Sequence, residues 1–239
     1  MTTKIIRIFL IFIFCITTLY AQDETPVLSK QEERQGWKML FNGKNLDGWT
    51  SVGKNTAPAY GWQVENGVLS LQTKSDKKGG DIITKEKYTN FDLSIEFKLA
   101  EGGNSGIKYF FTKYEKGGWL GLEYQILDDV NHPDAKEGRN GNRLQGTLYD
   151  MFPLNKKQEN RIGEWNHARI VAKGNKVTHY LNGNKILSFD RSSRNYLDTW
   201  KLSKYKDSAP VFGRVKSGHI LLQDHGDEVS FRNIKIKEL

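Results

Sequence analysis

Turn dipeptides punctuate this chain and constrain its fold more than any other feature. Asn42-Gly43, Asp47-Gly48, Asn66-Gly67, Gly79-Gly80, Gly102-Gly103, Asn140-Gly141, Gly174-Asn175 and Asn182-Gly183 recur along its length. Such pairs adopt the positive φ values that tight hairpins demand. Between them lie short alternating runs: Val68–Leu71, Phe91–Leu99, Ile107–Phe111, Leu122–Leu127, His167–Ala172, Val177–Leu181 and Lys185–Phe189. With 5 prolines, 12% aromatic residues and no long amphipathic helix pattern, the chain reads as an antiparallel β-sandwich. Ser29-Lys30-Gln31-Glu32-Glu33 reads as the start of a short helix. Two polar segments, Asp128–Gln145 and Asp190–Phe212, are too long for tight hairpins and are expected to form a binding rim.

The first residues read as an export leader. Lys4 and Arg7 precede an apolar core, Ile8–Ile16, that is too short to span a bilayer, and Ala21 offers a cleavage point. The expected organisation is a leader at 1–21, a polar segment at 22–35 and one domain at 36–239, in an exported protein that is periplasmic or extracellular. The one cysteine, Cys15, lies within the leader after Phe14, which disfavours lipidation. The mature chain would then have no disulfide, no thiolate nucleophile and no cysteine-ligated metal. Removing Lys4 and Arg7 lowers the net charge from +8 to +6, and the lysines are scattered rather than clustered. Nucleic acid is therefore not an expected partner, and no membrane span is expected.

Three strands place polar side chains where a half-buried sheet would prefer apolar ones. Asn104, Gly106 and Lys108 share one face, with Ile107 and Tyr109 opposite. Glu123 and Gln125 share a face, with Leu122, Tyr124 and Ile126 opposite. Gly218–Asp227 reads as a single strand with Leu221, Gln223 and His225 on one face and Ile220, Leu222 and Asp224 on the other; Val229–Ile236 follows as the closing strand. On one sheet these faces would converge in a groove holding a carboxylate, an imidazole and an ammonium, a set sufficient to move protons. Taken singly, each strand is better read as a solvent-facing surface; the three together, with the two long loops, favour the groove.

Other residues are more ambiguous. His132 is a rim contact, a metal ligand or a loop hydrogen-bonder, and His179 either reaches the groove or packs against it. Asp128, Asp129 and Asp134 are compatible with calcium, although EF-hand spacing is absent. Trp49, Trp62, Trp119 and Trp200 offer sugar-stacking faces, although tryptophan in a sandwich is ordinarily core.

These residues lie in segments that match a known pattern: GWKMLFNGKNLDGWT (36–50), GNSGIKYF (103–110), GLEYQILDD (121–129), HPDA (132–135), GNRLQGTLYD (141–150), GEWNHARI (163–170), HYLNG (179–183) and GHILLQDHGDEVSFRNIKIKEL (218–239). Together they resemble the 3-keto-disaccharide hydrolase family across nearly the whole mature chain. The resemblance implies an all-β, concanavalin A-like jelly-roll sandwich of two antiparallel sheets. It also implies cleavage of glycosides oxidised to a ketone at sugar carbon 3. In that chemistry a base removes the acidified proton on carbon 2, the group on carbon 1 leaves by β-elimination, and water adds to the enone. The expected catalytic residues are Glu123, His225 and Lys108. His225 or Glu123 would be the base, and Lys108 or a divalent metal ion would stabilise the enolate. The substrate-binding candidates are Asn104, Gln125, Asp128, His132, Arg143, Tyr149, His179 and Gln223, and the expected partner is a small carbohydrate, a 3-keto glycoside.

Two other readings use the same fold. A lectin-like module would occupy the groove without a titratable base. An ordinary endoglucanase is disfavoured, because the Glu123 strand carries no second acid on the face of Glu123.

Overall fold

The computed structural model describes residues 26–71, 79–156, 158–159, 161–207, 209 and 212–239. The expected leader at 1–21 lies outside the described residues. The described chain begins with α1 (Lys30–Arg34), where Ser29 and Glu32 form a reciprocal capping box, side chain to backbone in both directions. Strands follow in the order β1 (Trp37–Met39), β2 (Trp49–Ser51), β3 (Trp62–Glu65), β4 (Val68–Leu71), β5 (Ile82–Thr84), β6 (Phe91–Leu99), β7 (Asn104–Tyr114) and β8 (Gly118–Leu127). After a long connection come β9 (Asn166–Lys173), β10 (Lys176–Leu181) and β11 (Asn184–Asp190), then α2 (Arg194–Leu202), β12 (His219–Leu222) and β13 (Val229–Glu238).

The β3–β4, β9–β10 and β10–β11 hairpins turn at the expected dipeptides, whereas β7–β8 turns at residues 115–117. Asn66-Gly67 joins β3 to β4 with φ of 50° and 74°, and Asn182-Gly183 joins β10 to β11 with 49° and 81°. Positive φ at both central residues defines the type I′ turn, whose twist matches that of paired strands.

The strand pairings among the described residues are antiparallel and form two sheets. One runs β11-β10-β9-β6-β13-β4-β3, with β1 also paired to β13; the other runs β2-β5-β12-β7-β8. Their facing sides interdigitate in one core, where Leu69, Phe91, Ile95 and Phe231 of the first sheet meet Ile107, Tyr109, Tyr124 and Ile220 of the second. The fold is all-β, a concanavalin-like jelly-roll sandwich. Among the described residues, no helix is long and apolar enough to cross a membrane.

The far side of the five-stranded sheet carries the polar residues. Register sets them in rows: Glu123 pairs with Lys108, Lys108 with Leu221, Leu221 with Ile83, and Ile83 with Thr50. Because paired residues share a face, this row crosses all five strands on one side.

The structure corrects the strand expected over Gly218–Asp227, which ends at Leu222. One more ladder bond follows, from Gln223 N to Gly106 O at 3.0 Å. Asp224 then ends the pairing: its amide donates to Asp81 Oδ1 at 2.8 Å, while its carboxylate accepts from Gly80 N and Gly226 N. A side chain that satisfies nearby backbone groups offers the chain an alternative to the ladder. His225 is therefore carried by a turn, outside the strand alternation.

Candidate active site

Glu123 and Lys108 form the centre of the polar face. They lie directly opposite on β8 and β7, with Lys108 Nζ 3.5 Å from Glu123 Oε2 and side-chain exposures of 18% and 5%. Glu123 has room because position 106 is glycine. A Cβ there would stand 2.7 Å from Glu123 Oε1 and 3.2 Å from Gln223 Oε1. Gln125, opposite Gly106, is buried; with its amide nitrogen turned toward them it donates to Glu123 Oε1 at 3.3 Å and Ser105 O at 3.1 Å.

Gln223 Oε1 is buried with no donor among the described residues. Such an acceptor is costly unless a ligand or water satisfies it. Together with Asn104, Tyr149, Lys204 and His225, these groups line a notch of about 70 Å³. Asn104, Tyr149 and His225 also border an adjoining groove of about 290 Å³, completed by His132, Pro133, Asp134 and Glu137.

The two long connections build the walls. Tyr149 is tied to β8 by its amide, which donates to Glu123 O at 3.0 Å. Arg143 stands over the Tyr149 ring at 5.4 Å and bonds Asp134 at 2.8 Å and Asp150 at 2.9 Å. Burial, and next the Asp134 carboxylate, push the Tyr149 phenol well above its ordinary range, so it remains a proton donor. Arg143 acts as a brace for this wall; it does not line the notch. Asp128 is likewise a brace. It is buried, and its oxygens accept from Gly102 N, Val130 N, Asn131 N and Asn131 Nδ2, which folds the loop leading to His132.

His179 does not reach the notch, contrary to its place among the substrate-binding candidates. It is fully buried between the sheets, in contact with Tyr109 Oη at 2.7 Å and Gly146 O at 2.9 Å. A carbonyl can only accept, so Nδ1 carries the proton and Nε2 accepts from the tyrosine. Burial lowers its pKa to about 4, against the opposing pull of Gly146 O.

Two groups of the site escaped sequence reasoning. Lys204 arrives just after α2, its amide bonded to Asp150 Oδ2 at 2.7 Å and its ammonium 4.2 Å from the Tyr149 ring centroid. The side chain is largely exposed, yet desolvation at its ammonium end lowers its pKa, with the Glu123 carboxylate opposing. Asp81 stands beside the site without lining the notch, its Oδ1 accepting from Asp224 N at 2.8 Å; burial raises its carboxyl pKa, with Lys108 opposing. Its position just before β5 was the available signal, since it shares the face of Ile83.

His132, His225 and Asp227 bring potential ligand atoms within 4.8 Å of one another. The donor set does not fit a divalent ion as it stands. His132 Nδ1 accepts from Asp134 N at 3.1 Å, so the neutral ring carries its proton on Nε2 and presents no lone pair there. Asp227 Oδ2 is engaged by Asn104 N at 3.0 Å.

A jelly-roll sandwich with one charged notch on the open face of its smaller sheet, walled by long connections, is the architecture of a carbohydrate-active protein. Residues 36–237 match the model of the 3-keto-alpha-glucoside-1,2-lyase-like domain, and the chain belongs to that family. It is 36% identical over 241 aligned positions to the 3-keto-disaccharide hydrolase of Bacteroides thetaiotaomicron, covering 90% of this chain and 83% of that protein. A crystal structure from Parabacteroides distasonis, assigned as a glycosyl hydrolase, superposes with a TM-score of 0.79 at 34% identity, covering 90% of this chain and 99% of the other. A second from the same organism, assigned likewise, gives 0.65 at 30% identity, covering 85% and 99%.

Proposed function

We propose that the notch cleaves glycosides whose sugar carries a ketone at carbon 3. The observation that carries this reading is the composition of the notch: its lining holds one carboxylate, Glu123, accompanied by two ammonium groups, Lys108 and Lys204. An ordinary glycosidase needs two carboxyl groups flanking the bond and an oxocarbenium-like transition state. An elimination next to a ketone needs one base and cations for the enolate, which matches this set.

In this mechanism Glu123, paired with Lys108 and oriented by Gln125, removes the proton from carbon 2. The electron pair moves toward carbon 3, and the ketone oxygen becomes an enolate held by the Lys108 and Lys204 ammoniums. The bond from carbon 1 to the leaving oxygen then breaks, and His225 at the mouth delivers a proton to that oxygen. Water adds at carbon 1 of the enone, and carbon 2 regains a proton, giving the free 3-keto sugar. Gln223 Oε1 accepts from a sugar hydroxyl, and Asn104 and Tyr149 border the ring.

The reading is tested by incubating the mature protein with a 3-keto disaccharide and with its unoxidised parent, each with and without EDTA. Only the keto form should be cleaved, without EDTA sensitivity. Glu123→Gln should lower kcat by a factor of about 10² to 10⁴ while the protein stays folded. Cleavage of the parent at a similar rate, or full activity of Glu123→Gln, overturns the assignment. Binding of unoxidised sugar without turnover of either form would instead make the domain a lectin-like module. We also infer export to the periplasm or beyond, which is tested by finding Gln22 at the amino terminus of the mature protein.

A further inference from the structure

The open face of the five-stranded sheet has a second recess, beyond the notch. The row from Glu123 to Thr50 crosses four strand spacings, about 19 Å at roughly 4.8 Å each. Thr50 and Ile83 at its far end, with Lys54, Lys85, His219 and Trp119, the last on β8 four residues before Glu123, border a groove of about 470 Å³ that Asn55 completes. Trp119 is held flat against Phe111, with ring centroids 5.6 Å apart and planes at 17°, and the His219 ring lies 6.2 Å away. Its indole N–H has no acceptor among the described residues. Those of Trp49, Trp62 and Trp200 bond to the carbonyls of Leu40, Gly80 and Tyr205. Trp119 thus differs from the tryptophans that complete the interior: it offers a fixed ring and a free donor beside hydroxyl, amide and ammonium groups. A rigid aromatic face ringed by hydrogen-bonding groups suits a pyranose, which has an apolar face and a polar edge.

We propose that this groove is a second carbohydrate subsite, holding a pyranose unit of the same glycan several units from the bond broken at Glu123. It rests on the reading of the notch as the cleavage site. Its continuity with that notch points to the occupant: both recesses lie on one sheet face, and the row joins Glu123 and Lys108 in the notch to Ile83 and Thr50 in the groove. The substrate is then an oligosaccharide longer than a disaccharide, and the distal groove supplies binding that the reaction does not consume.

The test uses the mature protein with cellotetraose and maltotetraose, unoxidised and as 3-keto derivatives, and with the matching 3-keto disaccharides. Isothermal titration of the unoxidised tetrasaccharides reads the groove without any chemistry. Trp119→Ala should weaken binding about tenfold, equivalent to the loss of one aromatic contact. It should also raise KM for the 3-keto tetrasaccharide by a similar factor, leaving kcat and all disaccharide kinetics unchanged. Asn55→Ala and Lys85→Ala alter exposed groups, so they decide the question if Trp119→Ala fails to fold; each should weaken tetrasaccharide binding severalfold. Failure of the wild type to bind either tetrasaccharide, or unchanged binding in all three variants, overturns the subsite. Binding that depends on Trp119 without turnover of any keto sugar overturns the proposed chemistry instead and leaves the subsite standing.

Discussion

At position 106 one hydrogen atom separates an open site from a blocked one. Gly106 has ordinary strand geometry, so its role is the space it leaves for Glu123 and Gln223. Gly106→Ala should displace the Glu123 carboxylate, and a shift of about 1 Å in a catalytic group costs roughly a hundredfold in rate. Overpacking of this kind should cost about 1–3 kcal/mol of stability; kinetics and urea unfolding on the same preparation separate the two effects. Lys204→Met should lower kcat about a hundredfold, the usual consequence of removing one oxyanion donor, and a smaller effect would remove it from the mechanism. Alternation made Glu123, Gln125, Lys108 and Asn104 legible in the sequence, because each sits on a strand whose opposite face is apolar. Lys204 was not legible, because alternation says nothing of a residue in an irregular connection. Asp81 was legible only by extending the alternation of β5 one position before its start, to the face of Ile83. His179 misled for a related reason: it lies on a regular strand, where the pattern could not tell an inward imidazole satisfied by Tyr109 from one facing a groove.

At the scale of elements, the strands and tight turns were legible because each carries its own signal, a period of two or a pair of residues tolerant of positive φ. The end of β12 was not, because it is set by Asp224 reaching Gly80 and Asp81, which are distant in sequence. The segment after α2 depends on a similar long-range tether. Arg191 is buried, stacks 3.8 Å from the Phe110 ring centroid, and donates to the carbonyls of Gly174, Gly213 and Val215. Arg191→Ala leaves three carbonyls without a donor and a void over Phe110. The expected loss is about 3–5 kcal/mol, measured as a fall in the urea midpoint. Because the tether also positions the connection that bears Lys204, kcat should fall in parallel.

Across the whole molecule, His179 on β10 and Tyr109 on β7 link the two sheets through a buried hydrogen bond. The imidazole titrates near 4 in the folded protein and near 6.5 when unfolded. Above pH 6.5 both states are neutral and the group leaves stability unchanged with pH. As pH falls from 6.5 toward 4 the unfolded chain binds the proton first, so stability declines by about 3 kcal/mol from this group. Thermal unfolding across that window should show the decline, and His179→Phe should flatten it.

The strand order also bears on biogenesis. β12 is inserted between β5 and β7, and β13 lies between β6 and β4, so each sheet receives an interior strand from a segment far along the chain from its neighbours. A nascent chain that lacks this segment has a gap through the middle of both sheets and cannot complete either one. Topologies dominated by such distant pairings fold slowly. A chain in which residues 219–238 have yet to dock therefore stays open and threadable, a property that suits the export proposed above.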